Sequence, residues 1–268
     1  MEHVIAPSTL ERLLRHDRAV TLVALLVASV LAWVYILSGA GMDMSSMEMK
    51  TMPMLGMGMP HRWTAAYCAL MLAMWAIMMV AMMLPSAAPM VLLFAAIERR
   101  RRQASPFAAT AIFTAAYVSV WSGFSIAATL LQWLLDRSAL LSPTMVTTNG
   151  LIAGAVLIAA GVYQFTPLKQ ACLRSCRSPL EFISGYWNSG PFRIGLRHGM
   201  YCVGCCWMVM LLLFVGGIMN LMWVAVIAAF VVAEKMAPRG PWLGYGVGAV
   251  LTAWGIWTLY VYALAPSV

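Results

Sequence analysis

The sequence predicts an all-α fold, a polytopic membrane helix bundle with about seven transmembrane helices. Hydrophobic residues make up 63% of the 268 residues and charged residues only 10%, whereas soluble domains carry about 25% charged residues. Several apolar runs reach the roughly 18 residues that a helix needs to cross a bilayer. Lys and Arg residues also concentrate in alternate loops, as they do in polytopic membrane proteins. We therefore treat residues 1–268 as a single integral membrane domain.

Seven apolar runs give the predicted helices. They cover residues 19–38, 64–84, 107–131, 149–167, 200–217, 219–235 and 242–264. The first run is too long for a signal peptide and no A-x-A-like cleavage site follows it, so we expect a retained helix. The second apolar region continues to about Ile97, but Pro85 and Pro89 are expected to kink or end the helix. The fifth and sixth helices meet at a short turn around Asn220, and this pair can also be interpreted as one long broken segment.

Positive charge gives the orientation of the bundle. The N-terminal segment and the loops after the second, fourth and sixth helices hold 14 of the 17 Lys and Arg residues, and the other side holds 3. Cytoplasmic loops collect these residues, so the N-terminus is predicted to be cytoplasmic and the C-terminus outside. Residues 41–62 then form a Met-rich extracytoplasmic loop and residues 168–199 a cytoplasmic loop. We expect a multi-pass protein of the cell's inner (cytoplasmic) membrane, whose net charge of +8 reflects topology and not nucleic-acid binding.

The extracytoplasmic loop is rich in thioethers. Residues 42–59 read MDMSSMEMKTMPMLGMGM, with the Gly, Pro, Ser and Asp residues that are typical of loops. A thioether is a soft neutral ligand that favours Cu(I), and it keeps this property in oxidising compartments, where cysteines become disulfides. The alternative interpretation is an apolar loop that lies on the membrane surface. The predicted ligands are Met42, Met44, Met47, Met49, Met52, Met54, Met57 and Met59.

A stripe of methionines continues along the second helix. Met71, Met74, Met78 and Met82 recur at spacings of three and four, which places them on one helix face. The stripe begins where the Met-rich loop ends, so it is a candidate path for an ion moving inwards. Ordinary core packing predicts the same spacing.

Cysteines supply the second half of the soft-ligand set. Cys172 and Cys176 lie in the predicted cytoplasmic loop, in an environment that keeps thiols reduced. The stretch HGMYCVGCCW adds a histidine and three cysteines on one helix face. Cu(I) accepts such ligands, a tetrahedral zinc site fits them as well, and cysteine is also a frequent buried apolar residue. The four residues of this stretch are His198, Cys202, Cys205 and Cys206.

Four stretches carry a resemblance to a known family. They are MMLPSAAP, YQFTPLKQACLRSCRSP, FRIGLRHGMYCVGCCWMVMLLLFVGGIMNLMW and the AEK that follows them. Over about residues 64 to 237 the chain resembles the DUF2182 family of predicted metal-binding integral membrane proteins, some of which carry the label copper chaperone. The resemblance implies a membrane metal protein. The Met-rich loop lies outside these stretches, so its predicted role depends on its own residues.

Three functions are compatible with these patterns. We expect Cu(I) transport or chaperoning, with methionines capturing the ion outside and Cys and His residues binding it inside. The alternatives are a membrane thiol-disulfide oxidoreductase that uses the pairs Cys172/Cys176 and Cys202/Cys205, and an assembly or stabilising subunit of a metalloenzyme. The sequence has no Walker lysine, zincin motif or serine triad, which favours a protein that is not an enzyme. Expected partners are the lipid bilayer and a soluble metal chaperone or metalloenzyme; the sequence is also compatible with an oligomer.

The charge distribution makes the topology testable. Single cysteines introduced at Lys50 and Ser175, in a variant without native cysteines, should react with a membrane-impermeant maleimide from opposite sides of the membrane. Residue 50 should be labelled from outside and residue 175 only after the membrane is opened. Labelling of both residues from the same side would contradict the predicted orientation.

Overall fold

The computed structural model describes residues 9–39, 63–102, 105–142 and 145–264. Within these ranges the chain forms helices and no named strand, and a single isolated bridge pairs Leu141 with Thr147. The predicted all-α class is therefore confirmed. A short 3₁₀ helix covers Trp187–Ser189. The α-helices are α1 Thr9–Leu37, α2 Ala65–Arg102, α3 Phe107–Arg137, α4 Gly150–Tyr163, α5 Pro167–Arg177, α6 Pro179–Tyr186, α7 Gly190–Leu211, α8 Leu213–Gly216, α9 Leu221–Met236 and α10 Gly240–Leu264.

Several of these helices are suited to a membrane. Five helical segments are long and apolar enough to cross one, and the pair α4 and α5, bent by 62°, makes a sixth if it counts as one span. Helix α9 has 16 residues, fewer than the roughly 20 that a full span needs. The polytopic membrane class agrees with the prediction, but the described residues do not confirm the count of seven. The five segments are His16–Leu37, Ala65–Arg101, Phe107–Arg137, Pro179–Gly216 and Gly240–Leu264.

Helix α2 passes through both of its prolines, so of the expected kink or end of the helix there, the end is wrong. It continues without interruption for 38 residues. Near Pro85, the Ser86 hydroxyl donates to the Met83 carbonyl at 2.8 Å, and the Tyr117 hydroxyl donates to the same carbonyl at 3.2 Å. Pro85 has no N–H and so leaves the Ala81 carbonyl, not that of Met83, without its helical partner, and the packing of α2 against α1, α3 and α9 keeps the helix continuous.

The segment 168–199 is mostly helical, although the sequence indicated a connecting loop. Thr166 caps α5 by accepting from the Lys169 amide at 3.3 Å, and Pro167 occupies the first turn of that helix. Helix α7 begins at Gly190, ten residues before the predicted start. Cys172 and Cys176 therefore lie one turn apart on α5. The cytoplasmic location of this segment stays a prediction.

Helix α2 is the centre of the bundle. It packs against α1, α3 and α9, while α7 packs against α3 and α5, and α10 packs against α4. The outer faces of α1 and α10 expose large apolar side chains, including Val30, Trp254 and Trp257. Such surfaces suit a lipid environment better than water. Asn220 caps α9 by accepting from the Trp223 amide at 3.2 Å.

Helices α4 and α10 approach closely through glycines. A Cβ atom at Gly161 would lie 2.7 Å from both the Gly248 carbonyl oxygen and the Thr252 amide nitrogen. These are backbone atoms, which cannot move aside without separating the helices. Small residues that allow such close approach are typical of helix pairs in membranes.

Substitution at this contact should destabilise the bundle. We expect Gly161→Ala to lower the free energy of unfolding by about 1–3 kcal/mol, the usual cost of overpacking. Gly123→Ala on α3 is the matched control, because a Cβ there meets no atom within 4 Å. Heating followed by fluorescence-detected size exclusion measures both variants. Equal melting temperatures for the two variants would contradict the close α4–α10 contact.

Candidate functional site

Four thiols from two helices form a cluster in the core. Cys202, Cys205 and Cys206 on α7 are buried, and Cys176 on α5 is half-buried. Helix α5 packs against α7, and Cys176 packs against the hydrophobic core that contains the three cysteines of α7. All six cysteines of the chain are free thiols. The two predicted cysteine groups are therefore brought together.

Cys172 lies at the edge of this cluster. Its sulfur would be only 2.8 Å from a Cβ atom at Gly204, so the α5–α7 contact requires glycine at that position. The Tyr163 hydroxyl donates to the Gly204 carbonyl at 2.5 Å. The first contact holds α5 against the thiol-bearing face of α7, and the second holds the end of α4 against the same helix.

Cys202 is the most highly connected of the thiols. The ammonium of Lys235 donates to its sulfur at 2.9 Å and to the Ser86 hydroxyl at 3.1 Å. The Tyr117 hydroxyl also contacts the Cys202 sulfur, at 3.1 Å. Hydrogen bonds from three other helices thus meet at or beside one sulfur, and one of the donors carries a positive charge.

The Glu234-Lys235 pair lies in the core, in the last turn of α9. Glu234 is 1% exposed and Lys235 8%. The Glu234 carboxylate accepts from the Lys169 ammonium at 2.5 Å, and Lys169 also donates to Gln164. Buried charges require partners. Here Lys169 pairs with Glu234, and Lys235 donates to Ser86 and Cys202.

The methionines of α2 lead to the thiol cluster. The residues of the predicted stripe are at most 3% exposed, as are Met79 and Met83. The Met83 sulfur lies 4.0 Å from the Cys206 sulfur. Twelve residues separate Met71 from Met83, which is about 18 Å along a helix. The described stripe residues are Met71, Met74, Met78 and Met82.

His198 lies one turn before Cys202 among aromatic rings. Its ring centroid is 5.4 Å from that of Tyr117, 5.7 Å from Phe182 and 6.1 Å from Phe113. Its Nδ1 atom is buried and has no hydrogen-bond partner among the described residues. The role of His198 as a ligand stays a prediction.

A second group of sulfurs lies near the start of α2. The Gln132 amide nitrogen donates to the Met71 sulfur at 3.4 Å and to the Met145 sulfur at 3.3 Å. The Trp75 indole donates to the Gln132 amide oxygen at 2.7 Å. A pocket beside this group is lined by Trp63, Tyr67, Gln132, Asp136, Leu141, Ser142 and Met145.

Met145 has an unusual backbone conformation. Its φ is 58°, in the left-handed region, which costs a residue with a side chain about 1–2 kcal/mol. Its amide donates to the Ser142 carbonyl at 2.8 Å, and the Thr147 amide donates to the Phe214 carbonyl at 2.9 Å. These bonds hold the turn against α8 and keep the Met145 side chain in the core, where it is 9% exposed.

The thiols are not arranged for coordination as they stand. Across residues 9–39, 63–102, 105–142 and 145–264, no three His, Cys, Asp or Glu side chains form a group that could hold a metal ion. The Cys205 and Cys206 thiols instead donate to the Cys202 carbonyl, at 3.1 Å and 2.9 Å. Coordination by the cluster therefore requires these side chains to rotate.

Sequence patterns missed several residues of these two groups. Lys235 carried a signal, because an ionisable residue in an apolar helix is a candidate functional residue. Tyr117, Gln132 and Met145 stand alone in their segments and gave no pattern. The Met-rich loop lies outside the described residues. Its predicted ligands are Met42, Met44, Met47, Met49, Met52, Met54, Met57 and Met59.

Comparison with known proteins gives one match. No curated protein and no solved structure matches the chain. A family model with the description "PpoB2: Copper chaperone" matches residues 72–258, a range that includes the thiol cluster and the whole run from Met74 to Met83. This description agrees with the copper-chaperone label implied by the resemblance in the sequence, although the family name differs. Because the match covers more than two thirds of the 268 residues, the chain belongs to the PpoB2 family of copper chaperones.

Proposed function

We propose that this protein carries Cu(I) in the membrane, with the thiol cluster as its strong binding site and the α2 methionines as the path to it. One observation carries the proposal: the Met83 sulfur lies 4.0 Å from the Cys206 sulfur, in the core. A continuous series of buried thioethers therefore ends at a group of thiols. The copper-chaperone description of the family supports the choice of metal.

The two kinds of sulfur suit successive steps. Thioethers are neutral and bind Cu(I) weakly, whereas a thiolate adds a negative charge to a soft donor. An ion that passes from Met83 to Cys206 moves to a stronger ligand, so this transfer is favourable. Weak binding at several successive positions is also what ion movement through a protein requires. In the predicted orientation, the Met-rich loop collects the ion outside and the thiols receive it towards the cytoplasmic side.

Charge balance gives Lys235 a role in this function. Cu(I) held by two thiolates has a net charge of −1, which is costly in an apolar core. The Lys235 ammonium, 2.9 Å from the Cys202 sulfur, supplies the balancing positive charge. A Cu(I) site that includes Cys202 is then neutral as a whole.

Removal of two thiols should remove the metal ion bound by the thiol cluster. We expect Cys202→Ser with Cys205→Ser to lose one copper ion per chain while the protein still folds, because serine keeps the size of the side chain and lacks the soft donor. Cys68→Ser, at a half-buried thiol outside the cluster, is the control. Measurement of Cu, Zn and Fe together in the purified variants tests this. A metal content unchanged from the wild type in the double variant would overturn the proposed site. One zinc per chain in the wild type that the double variant loses would assign the site to zinc.

The charge of Lys235 should matter more than its length. We expect Lys235→Met to weaken Cu(I) binding by about a hundredfold or more, because the loss of a buried partner charge costs about 3–5 kcal/mol. Lys235→Arg keeps the positive charge and should recover much of this affinity. Competition with a chromophoric Cu(I) chelator measures both variants. Wild-type affinity in Lys235→Met would show that the ammonium does not balance the site.

A further inference from the structure

We propose that the sulfurs of Met71 and Met145 bind a separate Cu(I) ion. When no ion is bound, the Gln132 amide nitrogen occupies the ion's position beside the two sulfurs. This inference rests on the proposed function and adds an entry site to it. It also adds a ligand, Met145, which belongs to neither the methionine stripe nor the Met-rich loop.

The two sulfurs converge on one point. An amide nitrogen has two N–H donors, and those of Gln132 are directed to Met71 at 3.4 Å and to Met145 at 3.3 Å. The orientation of the amide is determined by Trp75, because an indole N–H can only donate and must therefore face the amide oxygen. Two thioethers from distant parts of the chain thus surround a single nitrogen.

This arrangement favours an ion over the amide. A thioether sulfur is a weak hydrogen-bond acceptor, and buried amides usually find carbonyl or hydroxyl oxygens. Here both N–H groups have sulfur partners, so little hydrogen bonding is lost when the nitrogen moves aside and the oxygen keeps its bond from the Trp75 indole. A soft cation binds two thioethers far better than an amide does. The sulfurs therefore suit Cu(I) better than their present partner.

The pocket provides access and an attractive charge. Asp136 lines it, one turn beyond Gln132 on α3, and its carboxylate accepts from the Trp63 indole at 2.7 Å. A carboxylate at this position attracts a cation towards the sulfurs. Trp63 also lines the pocket and follows Met59, the last methionine of the loop, by only four residues.

The backbone of Met145 supports a specific role for its side chain. A left-handed φ favours Gly or Asn, yet this position holds a methionine whose sulfur is turned into the core. If packing alone mattered, leucine would fill the same volume. The difference between the two side chains is the sulfur.

The test counts Ag(I), which has the soft chemistry of Cu(I) and is stable to oxidation. All samples are full-length chains with Met→Leu substitutions at the eight loop methionines, so that the loop adds no ions. Native mass spectrometry should show one Ag(I) fewer per chain in Met145→Leu and in Met71→Leu. The double variant should lose no more than either single variant, because both residues hold the same ion.

Two controls separate this site from packing and from the thiol cluster. Met90→Leu, at a buried methionine in a different part of the core, should keep every ion, and melting curves should show that all variants are folded. If Met145→Leu keeps every ion, the entry site is refuted. This holds even if the variant with both Cys202→Ser and Cys205→Ser loses one ion. If the cysteine variant keeps all its ions and Met145→Leu loses one, the entry site stands and the thiol site of the proposed function is refuted.

Discussion

A buried ammonium beside a buried thiol determines how the centre of this bundle is organised. Lys235 reaches from α9 to Cys202 on α7 and to Ser86 on α2, and Tyr117 on α3 contacts the same sulfur. A charge in an apolar core must find polar partners or leave. The four helices are therefore fixed relative to each other at this point. The Ser86 and Tyr117 hydroxyls also donate to the Met83 carbonyl, two residues before the first proline of α2.

The two sulfur groups share a principle of construction. In each group, a polar side chain donates a hydrogen bond to sulfur. Near the start of α2 the donor is the Gln132 amide, and at the thiol cluster it is the Lys235 ammonium. Neutral thioethers face a neutral donor, and thiols that can become thiolates face a cation. The donor at each end therefore matches the charge of the sulfurs beside it. Between the two groups lie apolar residues and further methionines, so an ion would meet sulfur at each step.

The sequence predicted one part of this arrangement and missed another, for physical reasons. Composition was sufficient for the all-α membrane class, and helical spacing was sufficient to put Cys202, Cys205 and Cys206 on one face. The helix end expected at Pro85 was wrong because α2 packs against α1, α3 and α9, and tertiary packing outweighs the local effect of a residue type. Gln132 was missed because a single amide shows no periodicity, and its importance comes from the sulfurs around it. Sequence patterns show which residues share one face of a helix. Contacts between single residues that are far apart in the chain become visible only in the folded structure.

Methionine in the core has a cost that the rest of the bundle offsets. Its three rotatable bonds allow sulfurs to shift between neighbouring positions, but the same freedom makes a methionine core less well defined than one of leucine or isoleucine. Rigidity comes from elsewhere: α4 and α10 pack backbone to backbone through Gly161 and Gly248, and Lys169 pairs with Glu234 in the core. Close glycine contacts and a buried ion pair both permit little movement. The bundle thus combines a rigid frame with a flexible line of sulfurs, which is what the proposed passage of an ion along that line requires.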